Sequence, residues 1–220
     1  MSIEPLTILL VDDHAVVRMG YGMLLENMDN IARIVEADNG EQAYHLYKVH
    51  QPHVVIMDLS LPGAGGLAAI RKIVKRNSDA RILVFSVHDE LIYVKRALEN
   101  GAKGYITKSC APELLLEALQ KVSENHLFIQ PELAQGLAKQ QFDNRQYCGL
   151  VDQLTAREFE VFDLIAQGLT THATGKHLNL SAKTIANYVS VIKNKLGVTT
   201  DIELAHLAFK SGLLPQKHDS

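Results

Sequence analysis

The chain has 220 residues, 47% of them hydrophobic and 21% charged, with a formal net charge of −3. That is the composition of a globular protein with a substantial core, long enough for one large domain or two ordinary ones. No apolar run approaches the roughly 20 residues of a membrane helix, and two cysteines are too few for a disulfide framework. Met1-Ser2-Ile3-Glu4-Pro5 lacks the basic start and cleavage site of a signal peptide, so a cytoplasmic protein without a membrane partner is expected.

In chain order, residues 6–11 form a continuous apolar run, as in a strand buried on both faces. Residues 15–27 carry a helical stripe through Val17, Tyr21, Leu24 and Leu25. The alternation then repeats. Strand-like 33–37, 54–58, 81–86 and 104–106 each precede a helical stretch, at 40–50, 66–76, 90–100 and 112–125 respectively. Five strand–helix units over residues 1–125 predict an α/β domain with a doubly wound, five-stranded parallel sheet and right-handed crossovers.

In such a sheet, ligands bind beyond the carboxyl ends of the strands. Asp12 and Asp13 follow the first strand, Asp58 the third, Ser86 the fourth and Lys108 the fifth. Three carboxylates, a hydroxyl and an ammonium would then share one pocket. Three acids that close repel one another unless a hard cation lies between them, and Mg²⁺ takes oxygen ligands of this kind. The pattern points to phosphoryl transfer onto an aspartate.

Leu10-Val11-Asp12-Asp13-His14, Met57-Asp58-Leu59-Ser60-Leu61-Pro62-Gly63 and Gly104-Tyr105-Ile106-Thr107-Lys108 resemble the receiver domain of two-component response regulators, a flavodoxin-like fold. The resemblance implies that Asp58 takes a phosphoryl group from a histidine kinase or a small phosphodonor. It implies that Asp12, Asp13, Asp58 and the Ser60 carbonyl hold Mg²⁺, that Lys108 faces the phosphoryl oxygens, and that Ser86 and Tyr105 form the switch. Autophosphorylation and its reversal are then the only chemistry expected, without enzymatic turnover. Ser109 stands where many receivers have proline, so a cis-proline turn is not expected there. His14 reads as a residue of the loop or helix start, because hard Mg²⁺ prefers oxygen.

From 126 to 152 the rhythm stops, which marks a linker with one short helix over 131–141; Pro131 suits its first turn. Residues 140–147 are polar and mark the boundary. In residues 153–214, Thr155-Ala156-Arg157-Glu158 has the form of a capping box. Helices are expected from there to Gly168, over 171–178, over 182–196 and from Asp201 to about 211. Four short helices with a tight turn before the third read as a helix-turn-helix module, followed by a tail at 215–220.

On the third of these helices Ile185, Val189, Ile192 and Leu196 form the expected buried stripe. Lys183, Thr184, Asn187, Ser190, Lys193 and Asn194 are the expected DNA-contacting residues. Between residues 169 and 200 there are four lysines and no acid, which suits phosphate neutralisation in a groove.

Leu154-Thr155-Ala156-Arg157-Glu158, Ser181-Ala182-Lys183-Thr184-Ile185-Ala186-Asn187 and Lys195-Leu196-Gly197-Val198 resemble the LuxR-type helix-turn-helix. Joined to a receiver, the chain resembles the NarL/FixJ family. Its last helical segment is similar to the subgroup of the GacA/UvrY regulators. The resemblance implies DNA as a partner, control of transcription, and a homodimer when phosphorylated, with the last helix pairing two copies.

Thr174 and Gly175 depart from the family's usual Ile or Val and Ala, and Ala186 and Ser190 from its more basic positions. Those departures keep open an alternative: a phosphorylation-switched protein-interaction module that no longer binds DNA. An aspartyl phosphatase is a third reading. It lacks a second acid two residues after Asp58.

Overall fold

Six parallel strands line up in the order β2-β1-β3-β4-β5-β6: β1 (Leu6–Val11), β2 (Ile31–Ala37), β3 (Val54–Met57), β4 (Ile82–Ser86), β5 (Gly104–Thr107) and β6 (Phe128–Ile129). The computed structural model describes residues 5–26, 28, 30–63, 65–143 and 148–214. Parts of the expected boundary (144–147) and the tail (215–220) lie outside them. The described residues group into two compact units, residues 1–89 with 94–134, and residues 135–220 with 90–93.

The first unit carries the sheet with α1 (Ala15–Glu26), α2 (Gly40–His50), α3 (Gly65–Arg76), α4 (Leu91–Glu99) and α5 (Pro112–Ser123), although α4 begins in the stretch grouped with the second unit. Every residue of β3, β4 and β5 is buried, as continuous apolar runs require in a sheet covered on both faces. One face packs Ile8, Leu10, Ile56, Leu83, Phe85 and Ile106 against Leu115, Leu119 and Val122 of α5 and Leu25 of α1. Local chemistry sets the helix starts. Asn39 accepts the Gln42 N–H at 2.9 Å to cap α2, and Pro112 opens α5. The strand order reverses beside β1, which pairs with β2 on one side and β3 on the other. That is where a crevice opens in this topology.

The sheet has one strand more than the five expected. β6 has two residues, too few to show a period, and it lies in the stretch read as linker. It pairs with Gly104 and Tyr105 of β5, so the edge of β5 is covered. The stretch also contains α6 (Pro131–Asp143) and α7 (Cys148–Val151).

The second unit holds α8 (Ala156–Ala166), α9 (Thr171–Leu178), α10 (Ala182–Leu196) and α11 (Asp201–Lys210). Thr155 and Glu158 form the complete capping box of α8. Ser181 accepts the Thr184 N–H at 3.1 Å to start α10, and Gly197 ends it at φ 68°. Asn179 takes the left-handed conformation at the end of α9, and the Leu180 N–H closes back on the Gly175 carbonyl at 2.8 Å. Val161, Phe162, Ala166, Leu178, Ile185, Ile192, Leu196, Leu204 and Ala208 are buried. Among the described residues no helix is long and apolar enough to cross a membrane.

Candidate functional site

Four strand ends, those of β1, β3, β4 and β5, carry the expected groups. Lys108, in the turn after β5, places Nζ 2.6 Å from Asp12 Oδ2 and 2.7 Å from Asp58 Oδ2. Asp58 is 1% exposed and Asp12 3%, so the ammonium joins two nearly buried carboxylates. Burial works to lower the Lys108 pKa, but the charge of Asp58 and the hydrogen bonds to both acids outweigh it and raise the value. Asp13 lies on the same loop, more exposed, with His14 Nδ1 2.7 Å from its Oδ1. The His14 N–H donates to Asp12 Oδ1 at 2.8 Å. One possible ligand atom from each of Asp12, Asp13 and His14 falls within 4.8 Å of the others.

The loop after β3 is held tightly. The Ser60 N–H donates to Asp58 Oδ1 at 3.2 Å, and the Gly66 N–H donates to the Leu59 carbonyl at 3.1 Å. A Cβ on Gly66 would stand 2.2 Å from the Asp58 carbonyl oxygen; only glycine lets α3 start this close to Asp58.

Ser86 is fully buried, and its Oγ accepts the His88 N–H over a long 3.4 Å. Tyr105 is also fully buried, with its hydroxyl donating to the His88 carbonyl at 2.9 Å. His88 Nε2 is 3.1 Å from Ser60 Oγ. One residue thus touches the Asp58 loop, Ser86 and Tyr105. The sequence reading passed over it; its position two residues beyond Ser86 in the same strand-end loop was the available signal. Gln130, bound to Thr107 next to Lys108, was missed because it lay in the presumed linker. Among the described residues no peptide bond is cis, which includes the bond between Lys108 and Ser109.

In the second unit, Lys183, Asn187, Ser190 and Asn194 lie exposed on α10, opposite buried Ile185, Ile192 and Leu196, with Val189 half-buried. Two expected contacts are already engaged. The Thr184 hydroxyl is 2.8 Å from Ser181 Oγ, and Lys193 Nζ is 2.9 Å from Asp201 Oδ1. Lys195 bonds Glu158 at 2.7 Å.

Residues 8–120 match the response regulator receiver domain, and residues 152–208 match the luxR family of bacterial regulatory proteins. The chain belongs to the NarL/FixJ family of response regulators. It is 40% identical to the transcriptional activator protein ExaE of Pseudomonas putida, over 94% of this chain and 97% of that one. It is 35% identical to response regulator UvrY of Escherichia coli K12, over 94% of this chain and 95% of that one, in keeping with the GacA/UvrY-like subgroup. A structure of RcsB from Salmonella enterica serovar Typhimurium, bound to promoter rprA with the phosphomimetic BeF3−, aligns at TM-score 0.62 and 26% identity. That alignment covers 92% of this chain and 98% of RcsB. The regulator therefore joins a receiver to a DNA-binding helix-turn-helix.

Proposed function

We propose that this regulator is a cytoplasmic transcription factor switched by a phosphoryl group on Asp58. Residues 1–125 would act as the phosphoacceptor domain and 153–214 as the DNA reader, with 126–152 connecting them. The observation that carries the reading is the convergence of Lys108 on Asp12 and Asp58 in one buried pocket beyond the strand ends.

In the transfer, an Asp58 carboxylate oxygen forms a bond to phosphorus. The bond from phosphorus to the kinase histidine nitrogen, or to the oxygen of a small phosphodonor, breaks and leaves its electron pair on the donor. The all-oxygen set of Asp12, Asp13, Asp58 and the Ser60 carbonyl suits Mg²⁺, which when bound offsets the charge on the transferring oxygens. Lys108 moves its charge from the Asp58 carboxylate to the new phosphoryl group. Ser86 gives up a weak contact with His88 and turns its hydroxyl toward the phosphoryl oxygens. Because Tyr105 holds the carbonyl of that same His88, the displacement reaches the switch tyrosine.

The new contacts shift the population toward a form that pairs two copies and reads DNA through α10. ExaE's description as an activator and the promoter-bound RcsB support transcriptional control as the output. Wild type and Asp58→Ala, each with and without phosphodonor and Mg²⁺, are compared for DNA binding. Stronger binding only in phosphorylated wild type is expected; equal binding in all four samples refutes control through Asp58.

A further inference from the structure

The geometry points to Gln130 as a positioning residue for phosphoryl transfer; the inference rests on the Asp58 reading above. Lys108 sits in the turn after β5, where Ser109 takes the place of the proline common in receivers. A hydrogen-bonded chain brackets Lys108 instead. Gln130 Oε1 accepts both the Thr107 backbone N–H, at 2.9 Å, and the Thr107 hydroxyl, at 3.0 Å. Thr107 Oγ1 is 2.9 Å from Ser109 Oγ. The Gln130 carbonyl oxygen only accepts, so the single Thr107 proton is committed to it, and the Ser109 hydroxyl is the donor in the remaining contact. The chain runs Ser109 to Thr107 to Gln130, with Lys108 between its first two members.

Gln130 is itself fixed by its backbone. Its N–H donates to the Tyr105 carbonyl at 2.9 Å, and its carbonyl accepts the Ala134 N–H at 3.0 Å, which starts α6. Strand β6 ends at Ile129, one residue short of serving Thr107, and the Gln130 side chain completes the ladder. Thr107 is buried, so without that acceptor its N–H would be an unsatisfied donor one peptide bond from Lys108. On the other side of β5, the Lys108 N–H donates to the Ser86 carbonyl at 2.7 Å. Lys108 Nζ therefore meets Asp12 and Asp58 from a turn whose orientation depends on Gln130.

The test uses the full chain with acetyl phosphate as donor, comparing wild type, Gln130→Leu, Gln130→Glu, Thr107→Val and Lys108→Ala. Phosphorylation rate against donor concentration, Mg²⁺ affinity and thermal unfolding are measured for each. Gln130→Leu is expected to lower the maximal rate about tenfold, a misplacement effect on the reacting geometry, with Mg²⁺ affinity unchanged. Gln130→Glu, which keeps the acceptor, is expected to restore the rate to within about twofold of wild type. If Gln130→Leu does not fold, Thr107→Val carries the same expectation in smaller degree, since it removes only the hydroxyl.

Wild-type rates in Gln130→Leu with a slow Lys108→Ala overturn the role of Gln130 and leave the pocket reading standing. Gln130→Glu as slow as Gln130→Leu also overturns it. A Lys108→Ala variant as fast as wild type overturns the pocket reading and this inference with it.

Discussion

Lys195, near the end of α10, bonds Glu158 Oε2 at 2.7 Å, and that oxygen also accepts the Thr155 N–H at 2.7 Å. A lysine of α10 thus braces the capping box of α8. Burial pushes the Glu158 pKa up, but the bonds from Lys195 and Thr155 outweigh it and bring the value below the usual 4.5. A depressed carboxyl contributes stability that is present above about pH 4.5 and lost as pH falls through its folded value. Glu158→Gln is expected to cost about 1 kcal/mol at pH 7 and less at pH 3. Urea unfolding at the two pH values checks this, and a loss equal at both removes the ionic contribution.

The same kind of pairing lowers the free positive charge of α10. Of the four lysines between residues 169 and 200, Lys193 pairs with Asp201 and Lys195 with Glu158. Among the described residues Lys176 and Lys183 form no ion pair. Binding should therefore lose affinity with salt at a log–log slope of about −2 per bound copy. Lys183→Ala is expected to flatten the slope by about 1, while Lys195→Ala reduces stability and leaves the slope alone. Titrations of one DNA site across a salt series measure it. A slope of about −5 or steeper per copy is incompatible with two free lysines.

Positions governed by periodicity or capping were legible in the sequence. The bounds of α2, α9 and α10 coincide with the expected 40–50, 171–178 and 182–196; Ser181 and Gly197 mark the ends of α10 as expected, while the structure adds Asn39 and Thr170 as the caps of α2 and α9. The meeting of Asp12, Asp58 and Lys108 was legible because each lies just past the carboxyl end of a strongly apolar run. The missing parts share a different origin. Strand β6 is too short to have a period, and Gln130 acts through one side-chain oxygen on a strand edge 23 residues away. His88 meets Ser86 and Tyr105 through its backbone N–H and carbonyl, so only its place two residues after Ser86, not its residue type, pointed to it. The engaged lysines 193 and 195 depend on where Asp201 and Glu158 lie in space, and a count of charges is blind to that.

Thr174 and Gly175 have opposite consequences. Thr174 is 0% exposed, and its hydroxyl has no hydrogen-bond partner. Thr174→Val keeps the shape, removes the orphan and is expected to stabilise the helical unit by about 1 kcal/mol. Gly175 is the reverse case. Alanine favours a helix by about 1 kcal/mol over glycine, yet a Cβ here would stand 2.6 Å from the Leu180 carbonyl oxygen. Gly175→Ala must move the turn that leads into α10, so a net loss of about 1–3 kcal/mol is expected. Thermal unfolding of the two variants separates the signs, and a more stable Gly175→Ala would show that the turn yields freely.

Glu160 carries a pH dependence opposite to that of Glu158. Its Oε2 pairs with Arg157 at 2.8 Å, while Oε1 is buried without a hydrogen-bond partner. The side chain is 13% exposed, and burial raises its pKa to about 7 against the pull of Arg157. A raised carboxyl contributes stability that is fully present below about 4.5 and lost as pH rises through the folded value near 7. At pH 8 the ionised form sits with one oxygen unserved; at pH 5 it is mostly protonated. Glu160→Gln keeps an acceptor for Arg157 and cannot ionise. It is expected to stabilise α8 by about 2 kcal/mol at pH 8 and to change little at pH 5. Hydrogen exchange of the α8 amides, corrected for the intrinsic rate at each pH, reads the difference within the helical unit itself. Equal protection of wild type and variant at pH 8 would mean that water reaches Oε1 and that the carboxylate ionises at its ordinary value.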